Sequence, residues 1–328
     1  MTDWRDVGDW GRALRRMARF AVPLVVTIGL AVFLLHRISV RQIVRLVSTI
    51  PLSALVLLLA LTALFVGLRG VRFRSVIPTR AGAYDFFAPA AAYTLAAQIV
   101  PGGAGELTLP VLLSPLGVSA GQSVGILIVC RFLDLVLSLV IGVSLWFLVA
   151  SSGSHIPLTG LGASVIVVGL ALLLFVPAVQ QPLVRRIQGW ASRRPSKILV
   201  MTSEALTTVG EFSGRSMFRV VGLTLALKVL ATCFYFFLAL ILQTRLSFLQ
   251  IALATQLSTL FMAVPIQGLA GLGTVDAWWA LSLKLVGVPT TTAIYYAVIF
   301  HFSYLFATAA LGTWPLIKRF GFASGRLA

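Results

Sequence analysis

Two apolar segments of the chain are each interrupted by glycines and carry one carboxylate, Glu106 in the first and Asp276 in the second, 170 positions later. The first interruption is Pro101-Gly102-Gly103-Ala104-Gly105, and the second runs from Pro265 to Asp276. A carboxylate at a break inside an apolar segment can bind a cation or a proton. Broken apolar segments at corresponding positions in two halves of a chain are typical of transporter substrate sites.

The two segments align without gaps, and the alignment continues past the breaks. Each carboxylate is followed eleven positions later by Gly-Val. The aligned positions that could form turns or take part in chemistry are Gly103 with Gly273, Glu106 with Asp276, Gly117 with Gly287, and Arg131 with His301. The chain is therefore predicted to contain an internal repeat.

The backbone at each break is expected to line a polar cavity or to lie within protein. A chain that stops being helical inside a bilayer exposes N–H and C=O groups that lipid cannot satisfy. Glycine and proline supply the turn, and a helix restarting there would aim its N-terminal N–H groups at an anion in the membrane interior. We therefore predict substrate-binding roles for Gly102, Gly103, Gly105, Gly268, Gly271, Gly273 and Thr274.

Glu106 and Asp276 are expected in the first turn of the restarted helices, and two roles are open for them. Acids at this position stabilise the helix dipole, and Thr274 is the predicted N-cap before Asp276. Alternatively, the two acids couple a cation or proton to transport, or gate the movement of substrate. The two roles are compatible, since a capping acid can also exchange protons.

Arg131 and Asp134 lie in one predicted span, three positions apart on the same helix face. They could pair, and the two interpretations left open are a structural ion pair and a functional site. In the functional interpretation, Arg131 binds a lipid phosphate, for which the guanidinium group is suited. Asp134 then takes part in coupling or gating, and His301 binds substrate at the equivalent place in the second half.

Weaker signals surround these residues. Lys228 lies near the middle of its predicted span and is expected to reach toward the interface or face a cavity. Gly117, Gly121 and Gly125 recur every four residues, which favours close helix packing. Basic residues near the end of the second span are expected to act mainly as topology determinants, although they could also hold headgroups at the cavity mouth; these are Arg69, Arg72 and Arg74.

The composition excludes an ordinary water-soluble domain. The 328 residues are 59% hydrophobic and 11% charged, and the mean hydropathy is +1.00. Soluble domains carry roughly 25% charged residues. The net charge of +17 is attributed to basic loops that face anionic lipid, and nucleic acid is not expected as a partner.

Six spans are predicted, at about 20–36, 50–68, 122–150, 160–178, 217–242 and 289–316. Basic residues are concentrated before the first span, in 69–85, in 179–216 and after the last span. These loops and both termini are therefore placed in the cytoplasm, and the chain in the cytoplasmic (inner) membrane. The predicted parts are an amphipathic N-terminal helix (1–19), a single transmembrane domain (20–316, with repeats at about 20–150 and 160–316) and a tail (317–328).

The broken regions at 86–113 and 247–286 must enter and leave the membrane on one side if this threading holds, so we predict two re-entrant hairpins. Each half then has three spans and one hairpin, and the second half is inverted because three is odd. The predicted fold is an all-α polytopic membrane protein with an inverted repeat, as in several secondary transporters.

An enzyme is the rival class. Glu106, Asp134 or Asp276 could act as the base of a membrane-embedded transferase, but the chain has only three histidines and nine acids. It contains no metal-ligand cluster and no P-loop. We expect no enzyme activity, no cofactor and no metal. The other alternative is a non-transporting membrane partner of a lipid-modifying or glycosyl-transfer enzyme.

Both breaks resemble motifs of the lysylphosphatidylglycerol synthase transmembrane-region family, also described as flippase-like. The first motif is carried by Pro101–Glu106 together with Cys130-Arg-Phe-Leu-Asp134, and the second by Pro265–Gly273 with Asp276 and Gly287. Two positions depart from the family pattern: Cys130 stands where Glu is frequent, and Asp276 stands where Glu is usual. No aminoacyl-transferase domain follows, so synthesis of lysylphosphatidylglycerol by this chain alone is not expected.

The resemblance implies a protein that moves a lipid across the bilayer. The expected substrate is an anionic or aminoacylated phospholipid, or a polyprenyl- or isoprenoid-linked lipid. The expected partners are membrane lipids with anionic headgroups. A separately encoded lipid-modifying enzyme and a homodimer are also compatible with the sequence.

Overall fold

The computed structural model describes residues 50–150, 197–211, 215–264 and 268–321, with the single residues 41, 185, 186 and 189. Within these ranges all regular structure is helical, as predicted. The α-helices are α1 (Leu52–Val76), α2 (Phe87–Ile99), α3 (Leu109–Leu113), α4 (Ala120–Ala150), α5 (Lys197–Glu211), α6 (Arg215–Ile241), α7 (Phe248–Phe261), α8 (Thr274–Leu285) and α9 (Thr290–Gly321).

Four of the described helices, α1, α4, α6 and α9, are long and apolar enough to cross a bilayer. They coincide with four of the six predicted spans, although α9 continues to Gly321, beyond the predicted end of the transmembrane domain. The predicted spans at 20–36 and 160–178 and the N-terminal helix lie outside the described residues, as does 322–328. The chain is thus a multi-pass membrane protein.

Both predicted breaks interrupt helical structure. Helix α2 ends at Ile99 and is followed by a 3-10 helix, Pro101–Thr108, and by the short α3. Helix α7 ends at Phe261, and a 3-10 turn, Leu269–Gly271, precedes α8. The first half therefore differs from the prediction, because the chain restarts as a 3-10 helix. Glu106 is not in its first turn, whereas Asp276 is in the first turn of α8.

The first helix of each broken region packs against the long helix of the other half. Helix α2 packs against α9, and Gly312 allows the close approach because a Cβ there would lie 2.6 Å from the carbonyl oxygen of Ala91. Helix α7 packs against α4, where the Gln256 side chain lies opposite Gly142. Helices α1 and α6 also pack together, so the two halves interlock.

The predicted cytoplasmic loop at 179–216 contains α5, which packs against the start of α4. Gly121 and Gly125 face this contact, since a Cβ at either position would overlap α5 residues near Glu204 and Thr208. The Ser119 hydroxyl donates to Glu204 at 2.6 Å. The prediction that these glycines serve close packing is therefore correct at Gly121 and Gly125, and the loop prediction missed a helix.

Large apolar side chains cover much of the outer surface of the long helices. Such exposure is unfavourable in water and is expected for side chains that face lipid. Examples are Leu52, Leu64, Phe147, Phe218, Phe302, Phe306 and Trp314.

Candidate functional site

A cavity of about 630 Å3 lies between the two broken regions and the long helices. This volume is in the range of small-molecule pockets in proteins. Gly103 and Glu106 from the first broken region line it, as do Val264 and Thr274 from the second. The cavity is also lined by the His301 imidazole and by six charged side chains: Arg69, Arg72, Glu106, Arg131, Asp134 and Lys228.

Glu106 and Arg131 form an ion pair across the cavity wall. Their side chains are 29% and 48% exposed, so both remain accessible from the cavity. Glu106 is carried by the 3-10 helix and Arg131 by α4. The predicted pairing of Arg131 with Asp134 is wrong, because the long Arg131 side chain reaches Glu106 on another element.

Asp276 and His301 form the corresponding pair in the second half, and the two residues are again 25 positions apart. The His301 Nδ1 and Asp276 Oδ1 atoms are 2.9 Å apart, and each side chain is 2% exposed. The other Asp276 oxygen accepts the Gly273 N–H at 2.8 Å. Asp276 therefore stabilises the start of α8 and holds His301, which lines the cavity.

The turns in the two halves also correspond. Gly103 and Gly273 have φ of +74° and +78°, and Gly117 and Gly287, further along, have φ of +74° and +98°. Positive φ is a backbone conformation that glycine adopts without steric cost. The alignment made from sequence thus relates residues with the same backbone geometry.

Thr274 is not the N-cap of α8, since Gly273 occupies that position. Its hydroxyl accepts the Gly268 N–H at 3.1 Å, which closes the turn before the helix, and its side chain lines the cavity. Thr274 is therefore placed where it could also contact a substrate.

Two of the described glycines predicted to bind substrate have a packing role. A Cβ on Gly105 would overlap the carbonyl of Ala96 in α2, and one on Gly271 would lie 3.2 Å from His301 Nε2. Gly103 lines the cavity, whereas Gly105, Gly268, Gly271 and Gly273 are buried and do not. Close approach to the backbone of Ala96 explains Gly105, and close approach to the Val275 and His301 side chains explains Gly271.

Asp134 pairs with Arg72 of α1, which the sequence predicted mainly as a topology determinant. The two guanidinium nitrogens of Arg72 donate to the two carboxylate oxygens of Asp134 at 2.6 and 3.2 Å. The side chains are 3% and 16% exposed. This bidentate pair joins α1 to α4 in the cavity wall, so Arg72 is a buried charge within α1 and not a loop residue.

Arg69 and Lys228 contribute the remaining positive charge of the wall, and neither has a carboxylate partner within the described residues. Arg69 Nη1 donates to the Thr94 hydroxyl at 2.8 Å, its guanidinium carbon lies 4.6 Å from the centre of the Phe65 ring, and its Nε is buried without a partner. Lys228 is 8% exposed and donates to the Ser138 hydroxyl at 2.6 Å. Lys228 thus faces the cavity, one of its two predicted positions.

Aromatic side chains from the second half form part of the cavity wall. Tyr235 contacts Trp279 with ring centres 4.2 Å apart, and Phe234 contacts Tyr304 at 5.6 Å. These four side chains line the same cavity as the cationic group. A wall in which cationic and aromatic side chains adjoin suits an amphiphilic ligand.

Comparison with known proteins identifies the family. The sequence model of the lysylphosphatidylglycerol synthase TM region matches residues 20–312. Searches of curated proteins and of solved structures returned no match. The match covers both broken regions, both ion pairs of the repeat, three of the four described spans and most of α9. The protein therefore belongs to the lysylphosphatidylglycerol synthase transmembrane-region family, as the two motifs indicated.

Proposed function

We propose that this protein is a lipid transporter, and not an enzyme, that moves a lipid headgroup across the cytoplasmic membrane through the cavity between its two broken regions. The headgroup belongs to an anionic or aminoacylated phospholipid or to a polyprenyl- or isoprenoid-linked lipid. The observation that carries this proposal is the cavity itself, in which basic side chains from three long helices meet both breaks. The family places the chain in lipid biology.

The charges of the cavity support recognition of an anion. Burying a cation without a counter-ion is unfavourable, and an arriving phosphate would offset that cost. Arg131 is the most accessible basic group of the ion pairs, and a phosphate can compete with Glu106 for its guanidinium. In this proposal Glu106 gates the site, because its carboxylate occupies Arg131 when the headgroup is absent.

The correspondence between the halves supports an inverted repeat. The ion pairs Glu106–Arg131 and Asp276–His301 and the positive-φ glycines recur at the same spacing. The first helix of each broken region packs on the long helix of the opposite half. We infer that the two regions are re-entrant hairpins entering from opposite sides, and that their rocking opens the cavity to each side in turn.

The distribution of basic residues supports cytoplasmic termini. The proposed partners are membrane lipids with anionic headgroups. A separately encoded enzyme that makes or consumes the transported lipid, and a second copy of the chain, are further proposed partners.

We expect Glu106→Gln and Asp276→Asn each to slow lipid movement about tenfold or more. Glu106→Gln removes the charge that releases the headgroup from Arg131, and Asp276→Asn weakens the contact that holds His301, each a charge-assisted interaction of about 1.5–3 kcal/mol. The measurement uses vesicles containing a headgroup-labelled anionic lipid and follows the access of a membrane-impermeant quencher to the label. The matched control is Asp85→Asn, which changes an exposed acid outside the cavity.

Unchanged rates in both variants would contradict the assigned roles of Glu106 and Asp276, and equal rates for wild type and Arg131→Ala would remove Arg131 from the mechanism. If wild-type protein accelerated the movement of no tested lipid, the transport proposal itself would fail. The role of a membrane partner for a lipid-modifying enzyme would then be favoured.

A further inference from the structure

We propose that the cavity selects a lipid headgroup that ends in a phosphomonoester or diphosphate, and discriminates against an aminoacylated headgroup. This inference rests on the proposed function and narrows its substrate class. It differs from what the family description suggests for lysylated lipid. The charges of the described residues carry the inference.

Every carboxylate in or next to the cavity is already engaged by a basic side chain. Glu106 contacts Arg131, Asp134 contacts Arg72, and Asp276 contacts His301. While these three pairs are intact, an ammonium group that entered with an aminoacyl headgroup would therefore find no free carboxylate in the described part of the cavity.

Two cations of the same cavity have only neutral hydrogen-bond partners in the described structure. Lys228 donates to Ser138, and Arg69 donates to Thr94. Ser138 also donates to the buried Gln256 carbonyl oxygen at 3.1 Å, so the hydrogen-bond partners around Lys228 are polar but uncharged. A buried cation is stabilised by an anion at hydrogen-bonding distance, and the wall provides none.

The sequence limits where a missing counter-ion could come from. Outside the described ranges the only acidic residues are Asp3, Asp6 and Asp9, and the segments 10–49 and 151–196 contain none. No span that lies outside the described residues can therefore place a carboxylate beside Lys228 or Arg69. The surplus of positive charge belongs to the transmembrane sequence itself.

The charge of the ligand follows from this surplus. A phosphodiester carries one negative charge and would leave one of the two cations unopposed. A phosphomonoester carries about 1.5 to 2 negative charges at pH 7, and its terminal oxygens can accept from both side chains. A lysylated headgroup adds ammonium groups and would increase the unopposed charge.

The lipid anchor is favoured over free inorganic phosphate by the rest of the wall. Leu61, Phe65 and Leu227 line the cavity, and so do the aromatic side chains of Phe234, Tyr235, Trp279 and Tyr304. A soluble phosphate would leave this apolar surface uncovered, whereas a lipid tail or a linker next to the phosphate would cover it.

The test measures binding, separately from transport. Purified protein is exposed to an equimolar mixture of phosphatidic acid, phosphatidylglycerol and lysylphosphatidylglycerol with identical acyl chains, and bound lipids are counted by native mass spectrometry. We expect phosphatidic acid to be preferred about tenfold over the other two lipids. Lys228→Gln and Arg69→Gln should each reduce this preference to about threefold or less, while the exposed-site controls Lys284→Gln and Arg219→Gln should retain it.

Three results would overturn the inference. The first is that lysylphosphatidylglycerol binds as tightly as phosphatidic acid or more tightly. The second is that the preference for phosphatidic acid persists in both cavity variants. The third is that an equal concentration of inorganic phosphate displaces bound phosphatidic acid. Equal binding of all three lipids with transport intact would contradict this inference alone. Selective binding without transport would contradict the proposed function and leave the inference standing.

Discussion

An Asp134→Leu variant is expected to lose about 3–5 kcal/mol of unfolding free energy, the cost of leaving one member of a buried ion pair without its partner. Arg72 is 3% exposed and gives both of its terminal nitrogens to Asp134. Its Nε is also buried without a partner, so the guanidinium would have the Thr224 hydroxyl, at 3.3 Å, as its remaining acceptor. The loss is measured from denaturant titrations in detergent micelles.

The double variant Arg72→Met/Asp134→Leu tests the reason for that loss. Replacing both members of a buried pair by apolar residues is often neutral or stabilising, so most of the lost unfolding free energy should return. Asp85→Asn, at an exposed acid, should change it by less than about 0.5 kcal/mol. A double variant as unstable as Asp134→Leu would show that packing, and not the unopposed charge, causes the loss.

The second large effect is expected on transport. Arg69→Gln and Lys228→Gln should each slow translocation of an anionic lipid about tenfold to a hundredfold, because each removes a charge-assisted contact of about 1.5–3 kcal/mol to the headgroup. Stability should behave differently from transport. Lys228 is buried and lacks a described carboxylate partner, so Lys228→Gln should leave the thermal midpoint unchanged or raise it, as is common when a functional group is removed.

Initial rates in vesicles and thermal midpoints of the same preparations separate the two effects. Arg219→Gln provides the control for loss of a positive charge at an exposed position. If transport and stability fell together in both cavity variants, Arg69 and Lys228 would be structural residues and not headgroup ligands.

The sequence predicted the breaks and the residues of the repeat better than it predicted their contacts. Glycine-rich interruptions and a shared spacing are local signals, so Glu106, Asp276, Arg131 and His301 could be found without a structure. What each of them contacts depends on how helices pack. Three-residue spacing could suggest a pair between Arg131 and Asp134, but it could not show that another helix offers a closer partner to each.

Arg69 and Arg72 show a second limit. The apolar run of the second span ends near Leu68, which made the arginines beyond it look like loop residues. Helix α1 continues to Val76, and its last turns lie against α2, α4 and α6. Arg69 and Arg72 are three positions apart. This spacing is the signal that could have indicated one basic face of a continuing helix.

The first broken region shows how local chemistry changes an expected element. A restarted α-helix was predicted there, but Pro110 and the close contact of Gly105 with Ala96 accompany a 3-10 helix followed by one short α-helix. Glu106 therefore lies late in the 3-10 helix, where it contacts Arg131 and does not cap a helix. In the second half Asp276 caps α8 through Gly273. Each of the two aligned acids therefore forms an ion pair of its own, but only Asp276 caps a helix.

The central claim is that a lipid headgroup crosses the membrane through this cavity, and blocking the cavity tests it most directly. Thr259 lines the cavity, whereas Ser144 is exposed on α4 and does not line it. Thr259→Cys and Ser144→Cys are made in a background in which Cys130 and Cys233 are replaced by alanine. A bulky thiol reagent is attached, with labelling verified by mass spectrometry, and lipid movement is followed in vesicles. The account predicts that the label stops transport at Thr259→Cys and not at Ser144→Cys. Fully labelled Thr259→Cys protein that moves lipid at the unlabelled rate would contradict it.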